Sequence, residues 1–281
     1  MAALRYFFSL LMVPISLITA GFSLIAYMAG QTNPNESIFI TFIGLAMPVI
    51  LTINLLILIY WIIKKKWWII IPIAAILLNS GYLASIFQVT ISSSKLPDGK
   101  IPIRIASYNA GKFKSWEHFE TQYYISEFLK NDKANIICFQ EYRENTKINA
   151  DTLSRLLNCP HHAIAYLPGS TTLGTGIFSK YPILQFGKIP LASQTNDAMW
   201  VDIQTGETRI RIISCHLQTT NFSKKRRLLD DPVLQNADIQ QVEDVVTDIS
   251  QELAQNFKIR ATQAQIVRQV IDTTRIPTIV C

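Results

Sequence analysis

The sequence predicts an α/β protein in which three N-terminal transmembrane helices precede a two-sheet α/β sandwich. Two observations carry this. Only 16% of the 281 residues are charged while 49% are hydrophobic, and the apolar excess is confined to the front. After residue 95, helical and strand-like periodicities alternate irregularly, which suits two sheets with helices packed outside them.

From Met1 to Lys95 the only charges are Arg5, Glu36, Lys64, Lys65, Lys66 and Lys95. Three uncharged apolar runs fill the interval, at 6–30, 38–63 and 67–91. Each exceeds the roughly 20 residues needed to cross a bilayer as a helix. Trp61, Trp67 and Trp68 fall where an interfacial aromatic belt belongs. A cleavable signal peptide competes for the first run, with Thr19-Ala20-Gly21 as its small-residue site. Its apolar stretch is longer than the usual signal core, so a span is the better reading. The lysine triplet lies between the second and third runs, whereas the loop at 31–37 has no Lys or Arg. Positive-inside places the lysines in the cytoplasm. The expectation is an integral inner- or plasma-membrane protein with residue 92 onward on the outer, periplasmic or extracellular side.

The segment 92–100 (SSSKLPDGK) reads as a linker, with Pro97 and an Asp98-Gly99 turn. A strand is expected at 103–109, then a helix capped by Ser115 whose apolar positions are Trp116, Phe119, Tyr123, Phe128 and Leu129. A second strand follows at 135–141 and a short helix at 152–157. Strands are expected at 163–166 and 176–178, with Gly169, Gly174 and Gly176 supplying turns. A hairpin joins strands at 199–203 and 209–217 through Thr205-Gly206. Then Ile239, Val242, Val246, Ile249, Leu253 and Phe257 form one helical stripe, continued by Ile259, Ile266, Val267 and Val270. A last apolar strand occupies 276–281.

The net charge of +6 invites a nucleic-acid reading. Residues 1–95 carry five of the basic residues and one acidic one, leaving 21 and 19 for the rest. A nucleic-acid binder concentrates basic charge on the binding domain, and this one is near neutral. The cluster Lys224, Lys225, Arg226 and Arg227 runs into Asp230-Asp231 and reads as a solvated loop or helix start, with a phosphate or lipid-headgroup contact as the alternative. Of the four cysteines, Cys138, Cys215 and Cys281 sit in apolar strands as small hydrophobes, and none has C-x-x-C spacing. Cys159-Pro160-His161-His162 mimics a metal cluster, but adjacent histidines on a loop project apart.

Three strands end on residues suited to phosphate chemistry: IRIASYN at Asn109, NIICFQE at Glu141 and RIISCHLQT at His216. Period-2 alternation puts Glu141 on the face of Ile137 and Phe139. A carboxylate after so apolar a strand is costly unless a cation or hydrogen-bond donors meet it. One strand-end polar residue is often a turn-former; three of complementary chemistry say more. A hard divalent cation takes oxygen ligands and leaves positions for water and phosphate. Glu141 suits a direct ligand, and Asn109 a neutral ligand or a donor to phosphate. His216 suits a hydrogen bond to a phosphoryl oxygen that stabilises developing charge. Other chemistries fail. Ala106 and Phe113 break the phosphate-loop pattern around Gly111-Lys112. There is no G-x-S-x-G elbow and no H-E-x-x-H helix. The apolar runs hold no charged residue for a transporter to use.

These strands resemble the motifs of the endonuclease/exonuclease/phosphatase superfamily, the deoxyribonuclease-like fold. SYN (107–109) is similar to its first Asn motif and CFQE (138–141) to its Gln-Glu metal motif. GTGIFSKYPI (174–183) is similar to a structural strand, SCHLQT (214–219) to the Thr-His-Leu strand, and Arg260 with Gln263 to the Arg-x-x-Gln helix. The resemblance runs from residue 103 to 281. It implies a membrane-anchored phosphodiester or phosphomonoester hydrolase dependent on Mg²⁺, or Mn²⁺. The implied catalytic residues are His216 and Asn109, and the implied metal ligands Glu141 and Asn109. The implied partners are the lipid bilayer and a phosphoester substrate: nucleic acid, a phospholipid headgroup or a small phosphodiester. The family's Gly-Asp-x-Asn motif, its late Asp-His pair and its closing carboxy-terminal strands do not occur in the sequence. The expectation is a truncated copy with impaired hydrolysis. The alternative is a non-catalytic, membrane-tethered module binding phosphate or lipid headgroups.

Overall fold

The computed structural model describes residues 2–87, 102–114, 121–219 and 239–281. Two compact units emerge, Met1–Lys95 and Leu96–Cys281. The expected linker at 92–100, the Ser115 cap with Trp116 and Phe119, the end of the third apolar run and the basic cluster at 224–227 lie outside the described residues.

The first unit comprises α1 (Ala2–Ala29), α2 (Ile38–Leu45), α3 (Met47–Lys64), α4 (Ile70–Leu78) and α5 (Ser80–Ile86). Two stretches, Ser9–Ala29 and Met47–Lys64, are long and apolar enough to cross a membrane. Two of the three expected spans are not single straight helices over their whole length. The run at 38–63 divides at Ala46 into α2 and α3, with proline in the first turn of α3. Pro48 has no N–H to give the carbonyl one turn back, so the helix restarts there. The run from Trp67 is not one straight helix either: α4 and α5 meet at a bend of 56°, and count as one span only if the bent pair is taken together. The break is at Asn79, whose Nδ2 donates to the Ala75 carbonyl (2.9 Å) and the Ser23 carbonyl (3.3 Å).

That amide belongs to a buried polar seam joining α1 to the other helices. Asn54 Nδ2 donates to Ser23 Oγ (2.9 Å) and Trp61 Nε1 donates to Ser16 Oγ (3.0 Å). Interhelical hydrogen bonds of this kind, rather than hydrophobic burial, hold helices together in an apolar solvent. Apolar side chains point outward instead: Leu17, Ile18, Leu56 and Ile63 are all exposed.

The second unit is α/β with two four-stranded sheets. One contains β1 (Ile105–Asn109), β2 (Ile136–Arg143), β3 (His161–Tyr166) and β4 (Leu173–Ser179) in the order β1-β2-β4-β3. The other contains β5 (Ile183–Ile189), β6 (Asp197–Thr205), β7 (Thr208–His216) and β8 (Thr278–Val280) in chain order. Pairing is antiparallel except for β1/β2 and β7/β8. The described helices are α6 (Gln122–Asn131), α7 (Ala150–Leu157) and α8 (Ile239–Asp272). Alternation along β2 sends Ile136 and Cys138 between the sheets, against Met199, Val201 and Ile212, and sends Ile137 and Phe139 outward under Phe113, Leu129 and Leu153. Behind the second sheet Ile213 and Ala198 pack on Val267 of α8.

Three local features depart from the sequence pattern for steric or packing reasons. Gly174 and Gly176 are not turn residues but lie inside β4. A Cβ on Gly174 would sit 2.0 Å from the Ala165 carbonyl oxygen, so only glycine lets β3 approach there. Gly169, at φ +74°, does turn the chain. Strand β5 went unread because its alternation is inverted: Leu184 and Phe186 face out, and Gly187 lies under the Trp200 indole. Finally, His161 and His162 begin β3 rather than a loop. His162 stacks on Phe178 (5.7 Å) and lies 3.7 Å from Asp151, while Cys159 is buried with its thiol pushed up to about 11 by that burial.

Candidate functional site

Asn109 is the last residue of β1 and His216 the last of β7. Glu141 is placed differently from the sequence reading. It lies inside β2, where the pairing with β4 slips between Phe139 and Tyr142, and its φ is +48°. This is a β-bulge with a non-glycine residue in the left-handed region, a conformation costing roughly 1–2 kcal/mol. The bulge breaks the period-2 alternation, so Glu141 does not continue the face of Ile137 and Phe139.

The result is convergence. Asn109 Nδ2 donates to Glu141 Oε1 at 3.2 Å. His216 Nε2 lies 3.9 Å from the same oxygen. The Glu141 side chain keeps 33% exposure and that of His216 14%, so the carboxylate faces open space with the imidazole beside it. The Gly111 N–H donates to Asn109 Oδ1 (3.0 Å), which fixes which end of the amide faces Glu141. The three side chains line a cavity of about 800 Å³, together with Ser107, Gln218 and Arg260.

Three supporting groups were not read from the sequence. Gln140 is buried, and its Nε2 donates to Ser107 Oγ (3.2 Å) and Ser214 Oγ (2.9 Å), tying β1 and β7 to β2 directly behind the cavity. Gln218 anchors the segment after His216: its N–H donates to Gln263 Oε1 (2.7 Å) and its Nε2 to Asn256 Oδ1 (3.0 Å), both on α8. One member of the Arg-x-x-Gln pattern thus lines the cavity and the other braces its wall. Third, Asp197 stands directly opposite His216 in the β6/β7 register, and both line an adjoining cavity of about 400 Å³ with Glu141 and Lys112. Burial pushes the Asp197 carboxyl above its ordinary value, against the opposing pull of Thr175, His216 and Lys188. Asn196-Asp197 reads as a turn before a strand, and nothing in it announces a partner 19 residues on.

Among the described residues no group of three or more His, Cys, Asp or Glu side chains is placed to hold a metal ion. Mg²⁺ does not require one, since it is bound through one or two carboxylates with water and phosphate completing the octahedron. The exposed oxygens of Glu141 fit that role. Asn109 fits less directly, because its oxygen is engaged by Gly111 and its N–H faces the carboxylate. In this arrangement it is a donor.

A family described as a domain of unknown function (DUF8431) matches residues 7–86. No curated protein matches the chain. Among solved structures the chain is similar to an endonuclease/exonuclease/phosphatase family protein from Leptotrichia buccalis C-1013-b, at 13% identity and a TM-score of 0.35, over 43% of this chain and 57% of that one. It is similar to the beta toxin of Staphylococcus aureus at 16% identity and a TM-score of 0.39, over 64% of each chain. It is also similar to humanized D. rerio TDP2 at 11% identity and a TM-score of 0.33, over 46% of this chain and 56% of that one. These structural neighbours are endonuclease/exonuclease/phosphatase-fold proteins. The chain spans less than two-thirds of the length of each of the three.

Proposed function

We propose that the chain is a membrane-anchored, divalent-metal-dependent phosphoester hydrolase of the endonuclease/exonuclease/phosphatase type. The observation that carries this reading is the meeting of Asn109, Glu141 and His216 from three strands of two sheets, with two contacts on one carboxylate oxygen. Five sequence motifs in the family's order support it. Glu141 would hold Mg²⁺ or Mn²⁺, with Asn109 beside it. Bound there, the cation supplies water activation and neutralises phosphoryl charge. The remaining roles belong to the chain. Asn109 orients the carboxylate through its N–H, and His216 offers Nε2 as a hydrogen-bond donor to a phosphoryl oxygen. Arg260 adds a cation to the wall of the cavity. The near-neutral charge of residues 96–281 makes a phospholipid headgroup or a small phosphodiester as suitable a substrate as nucleic acid.

A second reading has its own observation: the described site has one carboxylate facing its larger cavity and no three-ligand cluster. That suits a tethered module that binds phosphate without turning it over. One pair of measurements separates the readings. Under the hydrolase reading, Mn²⁺ binding followed by electron paramagnetic resonance should be lost in Glu141→Ala. Mg²⁺-dependent hydrolysis of bis(p-nitrophenyl) phosphate, falling by orders of magnitude in Glu141→Ala and in kcat but not in Mg²⁺ affinity in His216→Ala, marks the enzyme. Binding without turnover marks the module. Mn²⁺ binding unchanged in Glu141→Ala defeats the hydrolase reading.

For the first unit, the outward apolar side chains and the lysine triplet support a membrane anchor with Lys64–Lys66 in the cytoplasm and, with the bent α4–α5 pair taken as the third span, residues 96–281 on the outer side. An alkaline phosphatase reporter should be active when fused after Lys95 and inactive after Lys66. The opposite pattern reverses the orientation.

A further inference from the structure

Within the first unit, a cavity of about 820 Å³ opens between α1, near Val13 and Pro14, and the corner where α3 gives way to α4. Its walls differ in chemistry. Lys64 and Lys66 line one part and supply two ammonium groups. Trp61 lies behind the cavity wall: it is wholly buried and its N–H is given to Ser16, while the accessible apolar lining comes from Leu10, Val13 and Pro14. Trp67 and Trp68 stack on one another with ring centroids 3.9 Å apart, and Trp67 is 66% exposed. Lys64 Nζ is held 5.6 Å over the Tyr60 ring, so its position is set by packing rather than by a carboxylate. Glu36 is the only acidic residue among residues 1–95, and α2 and α3 separate it in sequence from the lysines.

We propose that this corner is a binding site for an anionic phospholipid, with the headgroup phosphate between Lys64 and Lys66 and acyl chain along Leu10, Val13 and Pro14. Two ammonium groups make charge-assisted hydrogen bonds to one phosphate. Their long stems lie against apolar surface while the charged ends reach the headgroup level. Paired tryptophans beside them match the depth at which indoles settle, and basic pockets between membrane helices suit anionic headgroups. Lys65 is the internal contrast. It ends α3 with φ +49° and does not line the cavity. The inference rests on the membrane reading of the first unit and is independent of the hydrolase reading of the second.

The test uses the full chain in vesicles of phosphatidylcholine carrying a minor fraction of either brominated phosphatidylglycerol or brominated phosphatidylcholine, with tryptophan quenching as the signal. Brominated phosphatidylglycerol should quench more strongly at equal mole fraction. Its apparent affinity should fall about fivefold in Lys64→Gln and again in Lys66→Gln, stay unchanged in Lys65→Gln, and be retained in Lys64→Arg. Equal quenching by the two lipids overturns the site, as does an equal loss in Lys65→Gln, which would indicate diffuse surface charge. Loss of the preference on adding inorganic phosphate assigns the lysines to a soluble anion and overturns the lipid. Absence of quenching by either lipid removes the bilayer on which the site depends.

Discussion

Gln140 and Ser214 connect the two sheets immediately behind the candidate site, Nε2 donating to Oγ at 2.9 Å. The same amide also donates to Ser107 on the neighbouring strand. A single side chain therefore links β1, β2 and β7, the three strands that carry Asn109, Glu141 and His216.

Replacing Gln140 by leucine keeps the volume but leaves the buried Ser214 hydroxyl without that donor. The expected cost is about 2 kcal/mol, read as a lower midpoint in urea unfolding. Adding Ser214→Ala should recover much of it. Fully additive losses would show that the two residues are not coupled.

Glu141 sits in a left-handed conformation that costs stability. Glu141→Gly should therefore be more stable than Glu141→Ala by about 1 kcal/mol, since only glycine adopts φ +48° without strain. Both should lose Mn²⁺ binding. Equal thermal midpoints for the two variants would argue against a strained bulge.

Asp202 is buried on β6 between Arg211, whose Nε and a terminal nitrogen reach both carboxylate oxygens at 2.7 and 2.9 Å, and Arg209. Burial works against its charge, but the hydrogen bonds and charges of the two arginines outweigh it and hold the carboxyl below its ordinary value. Its stabilisation is present above the unfolded-state value, near 4, and is lost as pH falls through the lower folded one. Asp202→Asn should cost about 3 kcal/mol at pH 7, a gap that narrows in denaturation curves below about pH 4. A pH-independent gap would sink the assignment.

Asp197 has the opposite sign. Burial raises its folded carboxyl above the unfolded value, so the ionised form costs stability at neutral pH and the cost is relieved on acidification. Asp197→Asn should match or exceed the parent chain in stability at pH 8 and lose that advantage as pH falls through the parent's carboxyl titration. If the variant is less stable at pH 8, the carboxylate is a net stabiliser and its environment has been misjudged.

The apolar run of α1 and much of α3, the irregular succession of strands and helices, and the polar ends of β1 and β7 were all legible in the sequence, because each depends on local periodicity and on which residue follows an apolar segment. The long stripe from Val242 to Val270 is likewise local and runs within α8. What local pattern could not contain is anything decided by a neighbour distant in the chain. The glycines of β4 look like turn-formers until β3 approaches to within 2.0 Å of where a Cβ would be. At the break, Asn79 meets a carbonyl 56 residues away in α1. Gln140 becomes a bridge only when the second sheet brings Ser214 across, and Asp197 faces His216 only through the register of a hairpin. The sequence alone marked Asn109, Glu141 and His216 as candidates; the tertiary structure decided that Glu141 leaves its strand's alternation and meets Asn109 and His216, because a bulge exists only relative to the strand it is paired with.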